Sequence, residues 1–257
     1  MSRTATPSPP AAVPGGHGTR SRDGDASDPA MRRDVAEPVL RALRALRPGL
    51  AGLGYGIATH WDRGVVASDP AERRLAARMT LRRRADFLAG RRALRMALAD
   101  LGLPATAPLP IGDRKQPRLP SGVAASLSHC QGIAVALAGP SEQFRSAGID
   151  LELSSLPAES AHLVLTEPER AWLANCGSTA ERARRLRTAF AAKEAAYKAL
   201  DPVVAIGTLR RIHLIPAGSG FVAWPSGLRH IRLDVRIHQV GTGVLAWTLL
   251  HAQSRQT

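Results

Sequence analysis

Two periods govern where apolar residues fall along this chain, and the points where one gives way to the other mark out its elements. Residues 1–30, MSRTATPSPPAAVPGGHGTRSRDGDASDPA, follow neither: they are Pro, Gly, Ser, Ala and charge with almost nothing to bury, and a disordered tail is expected. Helical spacing begins after it, with Val39, Leu40, Leu43 and Leu46 on one face of a segment stopped at Pro48-Gly49. Short apolar runs from Gly54 to Val66 predict a strand pair. From Asp69 to Leu101 a long helical region follows, with Leu81, Phe87, Leu88, Leu94 and Leu98 as its apolar contacts. Gly90 within it predicts a break or a close packing between two helices. Pro104 to Pro120 reads as a loop given shape by its prolines.

The period then shortens. In SGVAASLSHCQGIAVALAG, residues 121–139, strand-like runs around Val123–Ser128 and Ile133–Leu137 flank His129-Cys130-Gln131-Gly132, a tight hairpin. AGIDLEL, residues 147–153, predicts a strand with Ile149 and Leu151 on one face and Asp150 and Glu152 on the other, the two acids about 6.6 Å apart along it. Helical stretches follow at Glu167–Asn175 and Glu181–Leu200. Strands are then expected around Leu209–Ile215, Phe221–Trp224, Ile231–Ile237 and Gly243–His251. Strand, helices and antiparallel strands thus occur twice in the same order. That predicts an α+β fold of two similar lobes, residues 31–140 and 141–257, rather than a doubly wound alternation.

Composition narrows the class. The chain has 257 residues, enough for one sizeable core or two lobes sharing one, and no apolar run approaches the length of a membrane span. Lys plus Arg number 35 against 21 acids, for a formal charge of +14, nearly all of it carried by Arg. An anionic partner fits that excess, as does a biased composition with no partner at all. Cys130 and Cys176 are too few for a disulfide framework or a structural zinc site, and a cytoplasmic setting fits.

Candidate chemistry gathers at two places. Asp150 and Glu152 are either the wet face of a half-buried strand or hard ligands for a divalent cation. In ERARRLRTAFAAKEAAYKAL, residues 181–200, Leu186, Phe190, Tyr197 and Leu200 form an apolar stripe with Glu194 and Lys198 one turn apart at its edge. That pair is either an ordinary surface ion pair or the rim of a cleft. Lys193 falls nearer the middle of the stripe, where a buried ammonium requires an anion close by. Three carboxylates, Asp150, Glu152 and Glu194, suit magnesium better than zinc. Ser128 and His129 at the hairpin end read either as polar surface or as part of an anion site. No phosphate-binding glycine loop or nucleophile elbow occurs in a suitable context.

AGIDLE at 147–152 followed by FAAKEAAYKAL at 190–200 resembles the paired signature of 4'-phosphopantetheinyl transferases. FLAGRRALRMAL and LPSGVAASLSHCQGIAVAL, which precede it, resemble the enterobactin synthetase component D-like branch. The likeness runs from Arg44 to Leu250. It implies an enzyme that moves the phosphopantetheine arm of coenzyme A to a serine of an apo carrier protein and releases adenosine 3',5'-bisphosphate, in siderophore or nonribosomal peptide assembly. It implies Mg2+ held by Asp150, Glu152 and Glu194, with Glu194 and Lys198 in the chemistry. Coenzyme A would meet Arg84, Arg91, Lys115, Ser128, His129, Lys193 and Lys198. The implied partner is an acidic peptidyl, aryl or acyl carrier domain, and the implied state is a monomer.

Two positions depart from the family pattern: Gln116 stands where an acid precedes the proline, and Ala191 where Ser is frequent. Neither removes an implied metal ligand. A coenzyme A-binding protein that no longer transfers remains an alternative, as does an Arg-rich nucleic-acid module. The low aromatic content, 4% of residues, offers the latter little to stack bases on.

Overall fold

The computed structural model describes residues 29–62, 67, 69–104, 109, 110, 112 and 116–252. In chain order its elements are α1 (Pro29–Ala45), β1 (Gly54–Thr59), α2 (Pro70–Ala77), α3 (Leu81–Asp100), β2 (Val123–Cys130), β3 (Ile133–Pro140), β4 (Phe144–Glu152), α4 (Ala161–Val164), α5 (Glu167–Ala174), α6 (Thr179–Leu200), β5 (Ile212–Ala217), β6 (Gly220–Pro225), β7 (Leu233–Val240) and β8 (Gly243–His251). The strands form two antiparallel sheets, one of three in the order β1-β3-β2 and one of five in the order β4-β8-β7-β6-β5. Each sheet carries one long helix, α3 on the first and α6 on the second. The chain is α+β with two similar halves, as its patterning predicts.

Glycine sets the distance between strand and helix in both halves. A Cβ on Gly56 would lie 1.8 Å from the Ala93 carbonyl oxygen and 3.0 Å from the Ala97 nitrogen; one on Gly148 would lie 1.9 Å from the Ala195 carbonyl oxygen and 3.0 Å from the Ala199 nitrogen. Only glycine on the strand, over alanine on the helix, permits that approach. The likeness extends to buried charge. Glu72 sits three residues into α2 after its N-cap Asp69, and Glu169 sits three residues into α5 after its N-cap Thr166. Glu72 meets Arg91, and Glu169 meets Lys193; each cation lies two residues before the alanine under the glycine. The halves therefore repeat one ion-paired scaffold about a pseudo-twofold.

Leu40, Leu43 and Leu50 close a core between the halves with Tyr55, Val135, Leu137, Ile149, Leu151, Val240 and Leu245. Side chains join β2 to β4 at this junction: Ile149 N donates to Ser126 Oγ at 3.2 Å and Ser128 Oγ to Asp150 Oδ1 at 2.9 Å. The β2–β3 hairpin turns through Gln131 (φ 48°) and Gly132 (φ 83°), the two positive φ values that match strand twist.

The structure corrects two expectations, and two others fall wholly or partly on residues outside those described. Residues 54–66 supply a single described strand followed by a turn at His60–Asp62, and residues 63–66, where the second strand was expected, lie outside the described residues. The helical region breaks near Thr80, whose side chain caps α3, rather than at Gly90. Gly90 stays inside α3, and its Cβ position is 3.4 Å from Leu127 Cδ1, so close packing is its role. Leu209–Arg211 form a short 3-10 turn before β5 begins. The expected tail lies outside the described residues up to 28, while Pro29 and Ala30 open α1. Among the described residues no helix is long and apolar enough to cross a membrane.

Candidate functional site

The Gly148 contact lays α6 against β4, and the acids gather where the two meet. Asp150 leaves β4 opposite the buried Ile149 and Leu151 and is 7% exposed. Its Oδ1 accepts from Lys198 Nζ at 2.7 Å and from Ser128 Oγ at 2.9 Å, and Lys198 also donates to the Ile149 carbonyl at 3.0 Å. The Lys198 ammonium thus reaches across to β4, more than a surface helix pair would explain. Glu152 Oε1 accepts from Ser154 N at 2.8 Å and lies 3.7 Å from Cys130 Sγ. Burial raises the Cys130 thiol to about 11, helped by the Glu152 charge, so it stays protonated as a weak donor.

Glu194 stands one helical turn before Lys198. Burial raises its carboxyl to about 7; the negative fields of Asp150 and Glu152 add to the rise, and Lys198 opposes it. Three carboxylates in mutual range of one ammonium leave two uncompensated negative charges when all are ionised. All the donors are hard carboxylate oxygens, the set a hard divalent cation takes. Among the described residues, no three His, Cys, Asp or Glu side chains converge as a preformed ligand set. The reason lies in the contacts: Asp150 is engaged by Lys198 and Glu152 is turned toward Ser154.

A second cluster lies at the hairpin end. His129 Nε2 is 3.3 Å from Arg83 Nη1, His129 Nδ1 is 3.9 Å from Asp86 Oδ1, and His60 Nε2 is 2.6 Å from the same Asp86 oxygen. Burial lowers the His129 pKa; Asp86 resists, but Arg83, Lys198 and His60 push further down. For Asp86 burial acts upward, yet the His60 hydrogen bond and the charges of His129, His60 and Arg82 bring it below the usual carboxylate range.

Several residues named from the sequence lie elsewhere. Lys193 is fully buried, but its anion is a protein carboxylate: Nζ is 2.6 Å from Glu169 Oε2 and donates to the carbonyls of Ile212 at 2.7 Å and Leu209 at 3.3 Å. Arg91 is 4% exposed, packed over the Phe87 ring and 4.0 Å from Glu72, which is bound more tightly by Arg95 at 2.5 Å. Arg84 donates from Nε to the Ala76 carbonyl at 2.9 Å and closes the end of α2. Lys115 lies outside the described residues. Asp150, Glu152, Glu194, Lys198, Ser128 and His129 come together, whereas the contacts of Lys193 and Arg91 are with scaffold carboxylates. Arg83, Asp86 and His60 are brought to the site without having been named from the sequence. Arg83 and Asp86 share a helix face by their three-residue spacing, but only the capping of α3 at Thr80 decides that this face meets the hairpin.

Residues 71–139 match the family described as the 4'-phosphopantetheinyl transferase N-terminal domain, and residues 146–242 match the 4'-phosphopantetheinyl transferase superfamily. The 4'-phosphopantetheinyl transferase Npt of Nocardia iowensis is 42% identical over 137 residues, covering 53% of this chain and 60% of that protein. The enterobactin synthase component D of Salmonella typhi is 32% identical over 157 residues, covering 55% of this chain and 64% of that protein. Similarity to the first of these relatives therefore spans about three fifths of its length. The 4'-phosphopantetheinyl transferase Svp of Streptomyces mobaraensis is 33% identical over 165 residues, covering 64% of this chain and 67% of that protein. With the two family matches lying in order along both halves, this chain belongs to the 4'-phosphopantetheinyl transferase superfamily.

Proposed function

We propose that the chain transfers 4'-phosphopantetheine from coenzyme A to a serine of an apo carrier protein. The observation that carries this reading is the gathering of Asp150, Glu152 and the buried Glu194 at the meeting of β4 and α6, with Lys198 Nζ 2.7 Å from Asp150 Oδ1. The serine hydroxyl needs a base close to the acids, and Glu194 fills that role directly or through a bound water. In the proposed reaction the serine Oγ forms a bond to the phosphorus that bears the pantetheine arm. The bond from that phosphorus to the bridging oxygen breaks, the serine proton passes to Glu194, and adenosine 3',5'-bisphosphate leaves. Lys198 donates to the oxygen that gains charge, and Ser128 and the hairpin end hold the nucleotide phosphates.

Asp150, Glu152 and Glu194 are the residues that would hold Mg2+, and the two uncompensated charges among them fit it. The ion would neutralise charge developing on the diphosphate. Residues 31–140 supply the phosphate-binding lobe and 141–257 the acid-bearing one, so a monomer holds both halves of the site. The formal charge of +14 favours an acidic peptidyl, aryl or acyl carrier domain of a siderophore or nonribosomal peptide assembly line. The free thiols of Cys130 and Cys176 suit the reducing cytoplasm.

Incubation with coenzyme A, Mg2+ and a panel of apo carriers, read by intact mass, tests the reading. A gain of about 340 Da on the carrier, the load of one phosphopantetheine arm, is expected, and Asp150→Ala should abolish it. Absence of the gain on every carrier, with coenzyme A still bound, would leave a binder that does not transfer.

A further inference from the structure

The first half of α6 carries four arginines whose surroundings differ. Arg182 and Arg184 are exposed. Arg185 is taken up by the scaffold: it meets Glu181 at 2.5 Å, donates to the carbonyls of Asn175 at 2.8 Å and Trp172 at 3.1 Å, and lies 5.2 Å over the Trp172 ring. Arg187 is half-buried and its Nε is shut off from solvent, yet no hydrogen bond or ion pair reaches it among the described residues. A guanidinium cannot shed its charge by losing a proton. Desolvating it without an anion is therefore unfavourable until a ligand supplies one.

Helix geometry puts that charge in line with the chemistry. Arg187 precedes Glu194 by seven positions, so it lies within about 20° of the same face and about 10 Å further back along the axis, while Lys198 is about 6 Å ahead. Ala191, one turn on from Arg187 and fully buried, offers it no acceptor. Strand β4 runs against α6, because Ser146 Oγ donates to the Ala199 carbonyl and Gly148 sits on Ala195; the strand thus carries its acids toward the Arg187 end. Even so, Glu152 accepts from Ser154 N at 2.8 Å and makes no ion pair with Arg187 among the described residues. In an in-line displacement the attacking and leaving oxygens stand on opposite sides of the phosphorus. With Lys198 on the leaving side and Glu194 taking the serine proton, the serine arrives from the side of Arg187.

We propose that Arg187 is a specificity-determining residue that pairs with a carboxylate side chain presented by the carrier within about 10 Å of its accepting serine, the reach set by the offset between Arg187 and Glu194. This deepens the transferase reading and rests on it for the identity of the partner. The nucleotide phosphates belong to the opposite end of this face, so the anion that Arg187 takes comes from the protein substrate.

The test separates carrier binding from chemistry. Apo peptidyl, aryl and acyl carrier domains with the accepting serine replaced by alanine are titrated against the full chain, and initial rates on the unaltered domains are read by intact mass. Arg187→Gln should weaken binding of the serine-less carrier about ten- to hundredfold, the effect of losing a charge-assisted hydrogen bond at an interface, and should raise KM for the carrier to match. KM for coenzyme A, and Mn2+ affinity followed by electron paramagnetic resonance, should stay within about twofold. The same holds for every readout of Arg182→Gln, about 140° around the helix from Arg187. Arg187→Glu should be rescued by exchanging one acid near the carrier serine for Arg, a coupling that a structural role would not give. The urea midpoint of Arg187→Gln should not fall, since the change removes an unpaired charge from a half-buried position. A lower midpoint with carrier binding unchanged makes Arg187 structural and overturns the inference. A loss in KM for coenzyme A or in Mn2+ affinity, with carrier binding unchanged, assigns Arg187 to a phosphate or to Glu152 and overturns it as well. If the wild-type chain and Arg187→Gln bind and modify carriers alike, the inference falls and the transferase reading stands. If carrier binding depends on Arg187 but no serine-bearing carrier gains the arm, the inference stands and the transferase reading falls; a chain that binds no carrier overturns both.

Discussion

Replacing Lys193 with Met separates a scaffold lysine from a substrate-binding one. The ammonium is fully buried, and its three N–H donors are met by Glu169 Oε2 at 2.6 Å, the Ile212 carbonyl at 2.7 Å and the Leu209 carbonyl at 3.3 Å. Glu169 in turn accepts from Thr166 N and Leu214 N, both at 2.7 Å, so one carboxylate ties the start of α5 to α6 and β5. Lys193→Met keeps the side-chain volume but leaves that carboxylate buried without a counter-charge and two carbonyls without a donor. Breaking one side of a buried pair costs about 3–5 kcal/mol, against a total stability on the order of 5–15 kcal/mol. In a domain of this size that corresponds to a drop of roughly 6–20 °C in Tm. Urea denaturation followed by circular dichroism should show the midpoint falling at unchanged slope, and the double variant Lys193→Met/Glu169→Gln should lose clearly less than the sum of the two singles. KM for coenzyme A should not move. Stability within about 0.5 kcal/mol of wild type, together with a large loss of coenzyme A affinity, would show that Lys193 serves the ligand and refute the assignment.

The other predictions concern the strand that carries the acids. Gly148→Ala drives a methyl group to within 1.9 Å of the Ala195 carbonyl oxygen and should cost at least about 2–3 kcal/mol while moving Glu194 and Lys198 away from Asp150; Gly49→Ala, into open space, should stay within about 0.5 kcal/mol, and equal denaturation midpoints for the two would contradict the close approach. Glu194 at about 7 against an ordinary 4.5 keeps a proton in the folded chain that the unfolded chain has released. In metal-free buffer it therefore lowers stability as pH rises through that window, by up to about 3 kcal/mol. Glu194→Gln should remove this slope, and Mg2+ should restore stability at the alkaline end; a wild-type minus Glu194→Gln difference that is flat with pH would show that the carboxyl is not raised.

What the sequence made legible was period and burial, and what it hid was direction. The apolar stripe of residues 181–200 and the alternation across Ile149 to Glu152 locate α6 and β4, with Asp150 and Glu194 on them. Lys193 was legible as a buried ammonium that needs an anion, yet the choice between a phosphate and Glu169 depended on α5 folding back over α6, a long-range contact that periodicity does not encode. Lys193 and Lys198 are five positions apart, about 140° around the helix, so one faces the scaffold and the other faces the acids. The run Arg82-Arg83-Arg84 posed the same problem at finer scale. One residue of helix phase, set by the Thr80 cap, sends Arg84 back to α2 and Arg83 to His129. The repeated Glu-to-cation pairs were hidden because Arg91 and Lys193 differ chemically while occupying the same place in each half.

The account rests on the acids of β4 and α6 forming a single divalent-cation site once Lys198 leaves Asp150. Crystals of the full chain grown with Mn2+ and coenzyme A, measured at the manganese edge, test this most directly. One anomalous peak is predicted about 2.1–2.2 Å from carboxylate oxygens of Asp150, Glu152 and Glu194, with Lys198 Nζ moved from Asp150 toward a phosphate oxygen. Coenzyme A bound with Lys198 still on Asp150 and no peak among the three acids would contradict it.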